Sequence, residues 1–362
     1  MGDCCTAPFG RQRIVPICYR VTLFSNLNLL GARAARAAAD ALSRQQKGGP
    51  PLSGLARQLP AGPAISAVLD QILARAAPPA PAPEPEASPS PGQLIRATYA
   101  GGAGSRPYLL FVPERRAAAP ALIVMLHGCT QTAEDFAVGT RMNTLAAAAG
   151  ALVLYPIQVQ AANAQRCWNW FQPDGQVRAG GEAALLAGMT REVAARHGAD
   201  PARMFAAGLS AGGAQAAILG ATYPDLFAAV GVHSGLACGA ATDMAGAFMA
   251  MRQGRRGPGQ HRMRTIIFHG DRDTTVNVRN ADEVAGQVLD PSFTPIETVR
   301  GQVPGGLAWT RTRQRDTTGR PALERWIVHG GGHAWFGGSA AGSFTEPRGP
   351  DASQAMLAFF GV

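Results

Sequence analysis

Beyond residue 92 this chain alternates between short apolar runs and longer Ala-rich or amphipathic stretches, a pattern that predicts strands alternating with helices. Gln93 to Tyr99 and Tyr108 to Val112 read as strands flanking a Gly-rich turn at Gly101 to Gly104. Ala121 to Leu126 (ALIVML) is continuously apolar, the mark of a strand covered on both faces, and runs straight into His127-Gly128. Ala133 to Ala149 reads as a helix, and Ala151 to Tyr155 as a strand stopped by Pro156. Helices follow at Glu182 to His197 and Ala211 to Tyr223, with strands at Met204 to Ala207, Phe227 to Val232 and Thr265 to Phe268. Leu323 to Val328 reads as the last strand and Asp351 to Phe360 as a closing helix. The expected architecture is α/β, a mostly parallel central sheet flanked by helices on both faces. Ligands bind such sheets at the carboxyl ends of the strands.

The N-terminal quarter reads differently. Residues 76–91 (AAPPAPAPEPEASPSP) are too rich in proline for a helix or a central strand, and predict an extended linker. That divides the chain into an N-terminal extension over 1–75, mainly helical or disordered and of no legible chemistry, the linker over 76–91, and a catalytic domain over 92–362. Arg33 to Ser43 and Ala64 to Ala76 look like short helices within the extension. Arg11 and Arg13 precede an apolar stretch from Ile14 to Leu30, but Arg20, Asn26 and Asn28 interrupt it, which makes a poor export signal. No segment has the unbroken apolar length of a membrane span.

Composition adds exclusions. The net charge is +9, with Lys47 the only lysine among the cations. The arginines are scattered, with short pairs such as Arg115-Arg116, so the clustered footprint of a nucleic-acid binder is missing. The six cysteines form no metal-ligand spacing. Cys129 and Cys167 both fall in loops on the expected rim, where they read either as a disulfide or as buried thiols.

Chemistry concentrates in three places. Gly208-Leu209-Ser210-Ala211-Gly212 lies between a short apolar strand and an Ala-rich helix. A serine in that turn is thrust out of the sheet, and the Ala211 N–H at the helix start can face an oxyanion. The bland alternative is an ordinary strand-to-helix turn. A serine nucleophile needs a base, and the base an orienting acid, in the chain order Ser, Asp, His. His269-Gly270-Asp271-Arg272-Asp273 follows one strand and Gly330-Gly331-Gly332-His333 another. Asp273 is the preferred acid, with Asp271 the fallback, and His333 the base on a loop that its glycines predict to be mobile. Among the other histidines, His127 suits shaping of the oxyanion loop, and His329 packing in the core. The second oxyanion donor is expected from the Cys129 backbone N–H. Trp168, Trp170, Phe171, Trp335 and Phe336 are candidates for holding an acyl chain or polyester surface, against plain loop packing.

With these residues in hand, the catalytic part resembles the poly(3-hydroxybutyrate) depolymerase family of esterases, in the group related to feruloyl and acetylxylan esterases. The likeness rests on Leu126-His127-Gly128-Cys129-Thr130-Gln131, Arg166-Cys167-Trp168-Asn169-Trp170-Phe171, Ala207-Gly208-Leu209-Ser210-Ala211-Gly212-Gly213, His269 to Val276, and Gly332-His333-Ala334-Trp335. The resemblance implies an α/β-hydrolase fold, no cofactor, Ser210, Asp273 and His333 as the triad, and Cys129 and Ala211 as oxyanion donors. It implies a hydrolase of hydroxyalkanoate polyesters, oligomers or related esters, exported from the cell; the weak leader keeps a cytoplasmic location as the alternative. A feruloyl- or acetylxylan-type carbohydrate esterase is the second reading, and a non-catalytic binding protein on the same scaffold the third.

Overall fold

Leu122–Leu126 has no polar residue, yet its side chains still alternate: Leu122, Val124 and Leu126 enter one apolar core, Ile123 and Met125 the other. This run is β3, and every residue in it is buried. The same complete burial holds for β4 (Leu152–Pro156), β5 (Met204–Leu209), β6 (Ala229–His233) and β7 (Thr265–Gly270). A central parallel strand must be apolar on both faces because helices cover both.

The computed structural model describes residues 91–288, 290 and 292–362. The N-terminal extension, its two predicted helices and all of the linker but Pro91 lie outside the described residues. The remaining strands are β1 (Gly92–Gly101), β2 (Gly104–Pro113), β8 (Glu297–Gln302), β9 (Ala308–Arg315) and β10 (Pro321–His329), with a small pair β11 (Trp335–Phe336) and β12 (Thr345–Glu346). The main sheet has ten strands in the order β1-β2-β4-β3-β5-β6-β7-β10-β9-β8. From β4 to β10 all pairings are parallel, and antiparallel strands finish both edges.

Seven helices are described: α1 (Ala133–Thr140), α2 (Met142–Ala149), α3 (Gly181–His197), α4 (Ala211–Thr222), α5 (Met244–Gln253), α6 (Arg279–Val288) and α7 (Ala352–Phe360). Leu186 of α3, Ile218 of α4 and Val284 of α6 join one core. Phe136 of α1, Met142 of α2 and Phe360 of α7 join the other. Burying each such side chain stabilises the fold by about 1.5–3 kcal/mol. None of the seven is long and apolar enough to cross a membrane.

Two differences from the sequence pattern have physical causes. The expected helix over Ala133 to Ala149 breaks at Arg141, which takes a left-handed backbone (φ 54°) and caps α1. The Arg141 guanidinium donates to the Gly337 carbonyl and to Asp351, 2.9 and 2.6 Å away, so distant chain rather than local propensity sets the break. The β8–β9 hairpin and helices α5 and α6 were not anticipated. In β9 all eight residues are half-buried and four of them are Trp or Arg, which hides the period of two that marks a strand.

Candidate active site

Ser210 stands between the last residue of β5 and the first of α4 with φ 58° and ψ −120°, a conformation that costs a non-glycine residue about 1–3 kcal/mol. Its N–H donates to the His233 carbonyl (2.9 Å) and its carbonyl accepts from Ala214 N–H (2.9 Å), which hold the turn in place. The flanking glycines are required by contact: a Cβ on Gly208 would overlap the backbone of Gly212, and one on Gly212 would overlap the Leu126 carbonyl. A Cβ on Gly128 would lie 3.6 Å from the Ser210 Cβ, so the loop after β3 runs directly against the serine turn.

That loop is braced from several sides. Gly128 N–H donates to Gln131 Oε1 (3.0 Å), and the Gln131 amide donates to Asp135 (2.9 Å) and to the Ser343 carbonyl (3.1 Å). Thr130 N–H donates to the Gln165 carbonyl (2.7 Å). A disulfide joins Cys129 to Cys167, resolving the two options for these residues. His127 accepts from Gln158 N–H at Nε2 (3.1 Å), so its Nδ1–H donates to the Gly128 carbonyl (2.8 Å). Burial, aided by the Arg166 charge, pushes its pKa below the ordinary histidine value. The backbone N–H groups of Cys129 and Ala211 find no acceptor among the described residues.

Asp273 and His333 meet across 60 positions of sequence: Nδ1 of His333 lies 2.7 Å from Oδ2 of Asp273. The other carboxylate oxygen accepts from the N–H groups of Thr275 (2.9 Å) and Val276 (2.8 Å). Burial alone raises the Asp273 pKa, but hydrogen bonds and charge from His269 and His333 outweigh it and hold the carboxyl well below the usual carboxylate range. Nε2 of His269 lies 3.5 Å from Oδ2 of Asp273 and nearer the Val276 carbonyl, at 2.8 Å. With Nδ1–H given to Asp273, Nε2 of His333 carries a free lone pair. The Ser210 hydroxyl makes no hydrogen bond among the described residues. Such bonds often tighten only once substrate is bound.

Asp271, the fallback acid, takes a different partner. It accepts from Gly330 N–H (2.7 Å) and lies 2.9 Å from Nδ1 of His329, whose Nε2 is 2.8 Å from Thr310 Oγ1. His329 is therefore an exposed, paired residue and not a core histidine. His233, by contrast, is buried: its carbonyl holds Ser210, its Nε2 accepts from Phe336 N–H (3.2 Å), and its ring stacks on Phe268 and Trp335. Burial, then the charges of His269 and His333, push its pKa well down.

Two further expectations need correction. The glycines before His333 do not leave a loose loop, because Arg272 N–H donates to the Gly331 carbonyl (3.0 Å) and Gly331 N–H to Val328 (3.3 Å). Gly331 is needed for close approach, since a Cβ on it would lie 2.7 Å from the Phe336 ring, and Gly330 takes a left-handed backbone (φ 78°). Among the aromatics, Trp168, Trp170, Trp335 and Phe336 are core residues, exposed by 0%, 5%, 1% and 0%. Trp168 donates Nε1–H to the His127 carbonyl (3.1 Å), and Trp335 to Ser353 Oγ (3.0 Å). Phe171 alone of the five is half-buried, packed edge-on against Trp170. One residue of this region was passed over by the sequence motifs. Glu182, raised in pKa by burial against opposing hydrogen bonds, accepts from Asn169 N–H (2.7 Å), Gln158 Nε2 (2.5 Å) and Arg106 (3.3 Å). It pins the segment that carries Cys167, and its only sequence signal was a carboxylate beginning a helix.

The sequence model of a family described as esterase PHB depolymerase matches residues 107–293. Poly(3-hydroxyalkanoate) depolymerase C of Paucimonas lemoignei is 31% identical over 242 residues, which cover 61% of this chain and 56% of that protein. The chain thus spans little more than half the length of that relative. Feruloyl esterase B of Neurospora crassa is 30% identical over 277 residues, 70% of this chain and 86% of that one. A solved acetyl xylan esterase from Aspergillus awamori superposes with a TM-score of 0.58 at 23% identity, covering 75% of this chain and 99% of that chain. This likeness shows the fold, that of the α/β-hydrolase esterases.

Proposed function

Because this chain belongs to the esterase PHB depolymerase family, a family of carboxylic ester hydrolases, we propose that Ser210, His333 and Asp273 carry out its acyl transfer, with short-chain poly(3-hydroxyalkanoate) polymers or oligomers as substrates. The observation that carries the reading is the 2.7 Å contact of His333 Nδ1 with Asp273, which leaves Nε2 free to take a hydroxyl proton.

Ser210 Oγ attacks the ester carbonyl while His333 Nε2 accepts its proton, and the buried Asp273 carboxylate stabilises the resulting imidazolium. The oxyanion then accepts from the N–H groups of Cys129 and Ala211, each such donor lowering the barrier by about 2.7–4 kcal/mol. His333 returns the proton to the leaving alcohol, and water activated by the same imidazole releases the acid. Ser210→Ala is expected to abolish p-nitrophenyl butyrate hydrolysis while the far-ultraviolet circular dichroism stays native. Full turnover by that variant would refute the assignment, and labelling of Ser210 by an organophosphonate separates an enzyme from a binding protein on this scaffold.

A second reading, release of feruloyl or acetyl groups from an acylated sugar, is favoured by the greater coverage of the feruloyl esterase relative. Initial rates on hydroxybutyrate oligomers and on a feruloylated sugar discriminate the two. The disulfide supports an oxidising, exported setting for either.

A further inference from the structure

Half-buried arginines in this fold generally find acceptors: Arg106 donates to Glu182, Arg313 to Glu324, and Arg264 to the carbonyls of Pro321 and Phe359. Arg166 is half-buried too, yet its guanidinium donates to nothing among the described residues. It stands where two cavities adjoin, of about 150 and about 290 Å³, both of which it lines together with Gln160. Thr130 lines the smaller cavity, and Gln131, Ile157 and Val159 line the larger. Glu134 also borders the larger cavity, but Arg96 is ion-paired with it, which leaves Arg166 as the uncompensated charge of the lining.

The position of Arg166 is fixed from the backbone. Its φ is 53°, a left-handed conformation that favours glycine or asparagine, and its N–H donates to the Asn163 carbonyl (2.8 Å). The next residue is Cys167, bonded to Cys129, and the preceding one holds Thr130 N–H. Arg166 therefore rides on the same cross-linked strap as the Cys129 N–H, and its charge is felt by His127 on the inner side of that strap. An uncompensated guanidinium in a cleft presents a planar fork that matches a carboxylate in geometry and charge.

On the esterase reading above, on which this inference rests, we propose that Arg166 is a specificity-determining anion site that receives a carboxylate carried by the substrate outside the scissile ester. Two kinds of ester bring such a group: a hydroxy-acid oligomer with a free acid end, and an acylated sugar with a uronic acid. Arg166 reads the charge and does not touch the reacting atoms.

Two matched pairs test this with the native protein. One is the 3-hydroxybutyrate dimer and its methyl ester, followed by cleavage of the internal ester. The other is acetylated glucuronic acid and its methyl ester, followed by release of acetate. The free acid of at least one pair is expected to show a KM about tenfold lower than its methyl ester, with kcat similar across the pair. The pair that does so identifies the source of the carboxylate. The KM ratio should shrink towards one at an ionic strength of about 1 M, where the screening length falls to about 3 Å. It should also shrink in Arg166→Gln, and only partly in Arg166→Lys, which keeps the charge and loses the fork. A ratio of one in both pairs, with p-nitrophenyl butyrate still hydrolysed by the native protein, overturns the anion site alone, as does a ratio that survives Arg166→Gln. Hydrolysis of no ester by the native protein overturns the esterase reading and this inference together.

Discussion

Asp271 and Asp273 stand two positions apart on one turn, yet each takes a different histidine. Asp273 points inward, its side chain wholly buried, to His333, and Asp271 faces solvent and pairs with His329. On the proposed roles, Asp273→Asn should lower kcat by about 10³–10⁴-fold, because an amide no longer holds the required imidazole tautomer. Asp271→Asn, on an exposed pair of small energetic weight, should leave kcat near the native value. Steady-state kinetics on p-nitrophenyl butyrate read both, and equal losses would contradict the division of roles. The turn at Ser210 stood out in the sequence because its glycine setting is a local signal, as did His333 after its three glycines. The choice between the two carboxylates was open, since it depends on which way a turn faces. The aromatics misled for a related reason: a Trp in a loop looks the same whether the loop lies on the rim or, as at Trp168, dives beneath it.

At the scale of elements, the strap made by the cross-linked loops after β3 and after β4 is where covalent and polar bracing meet. The Cys129–Cys167 bond closes a loop of 38 residues, which by chain entropy stabilises the folded state by about 4 kcal/mol. Replacing both cysteines by serine should lower stability by about 2–4 kcal/mol in urea unfolding. It should also depress kcat if the strap aims the Cys129 N–H; a lower unfolding midpoint with kcat intact would mean the bond serves stability alone. The central strands were readable because complete burial leaves unbroken apolar runs, and α3, α4 and α7 because their Ala-rich or apolar stretches outlast the length of a strand. The β8–β9 hairpin was not, because an edge whose more buried face carries Arg311, Arg313 and Arg315 shows neither an apolar run nor an apolar–polar alternation. Glu182 escaped notice likewise, since its partners Gln158 and Asn169 lie across a loop whose path is a tertiary matter.

The whole molecule holds several ionisable groups away from their ordinary values, and this sets its response to acid. His127 and His233 have pKa values lowered from 6.5 by burial, so below pH 6.5 the unfolded chain binds protons that the folded chain refuses. Stability is therefore full above about pH 6.5 and falls as pH drops, by up to about 1.4 kcal/mol per pH unit for each histidine. Asp273, lowered from 3.8, adds a second loss below that pH in the same direction. Urea midpoints measured from pH 8 to pH 4 should decline in the acid half of the range. A flat profile would contradict the burial of these two rings as neutral groups.

Strand order also governs when the proposed site can exist during synthesis. The ribosome delivers Ser210 first, Asp273 next and His333 late, while β10, which carries the base to its place, pairs with β7 on one side and β9 on the other. A nascent chain that has made only its serine elbow holds a nucleophile with no base. Onset of turnover during refolding would then mark the docking of β10, making activity a clock for the last step of assembly.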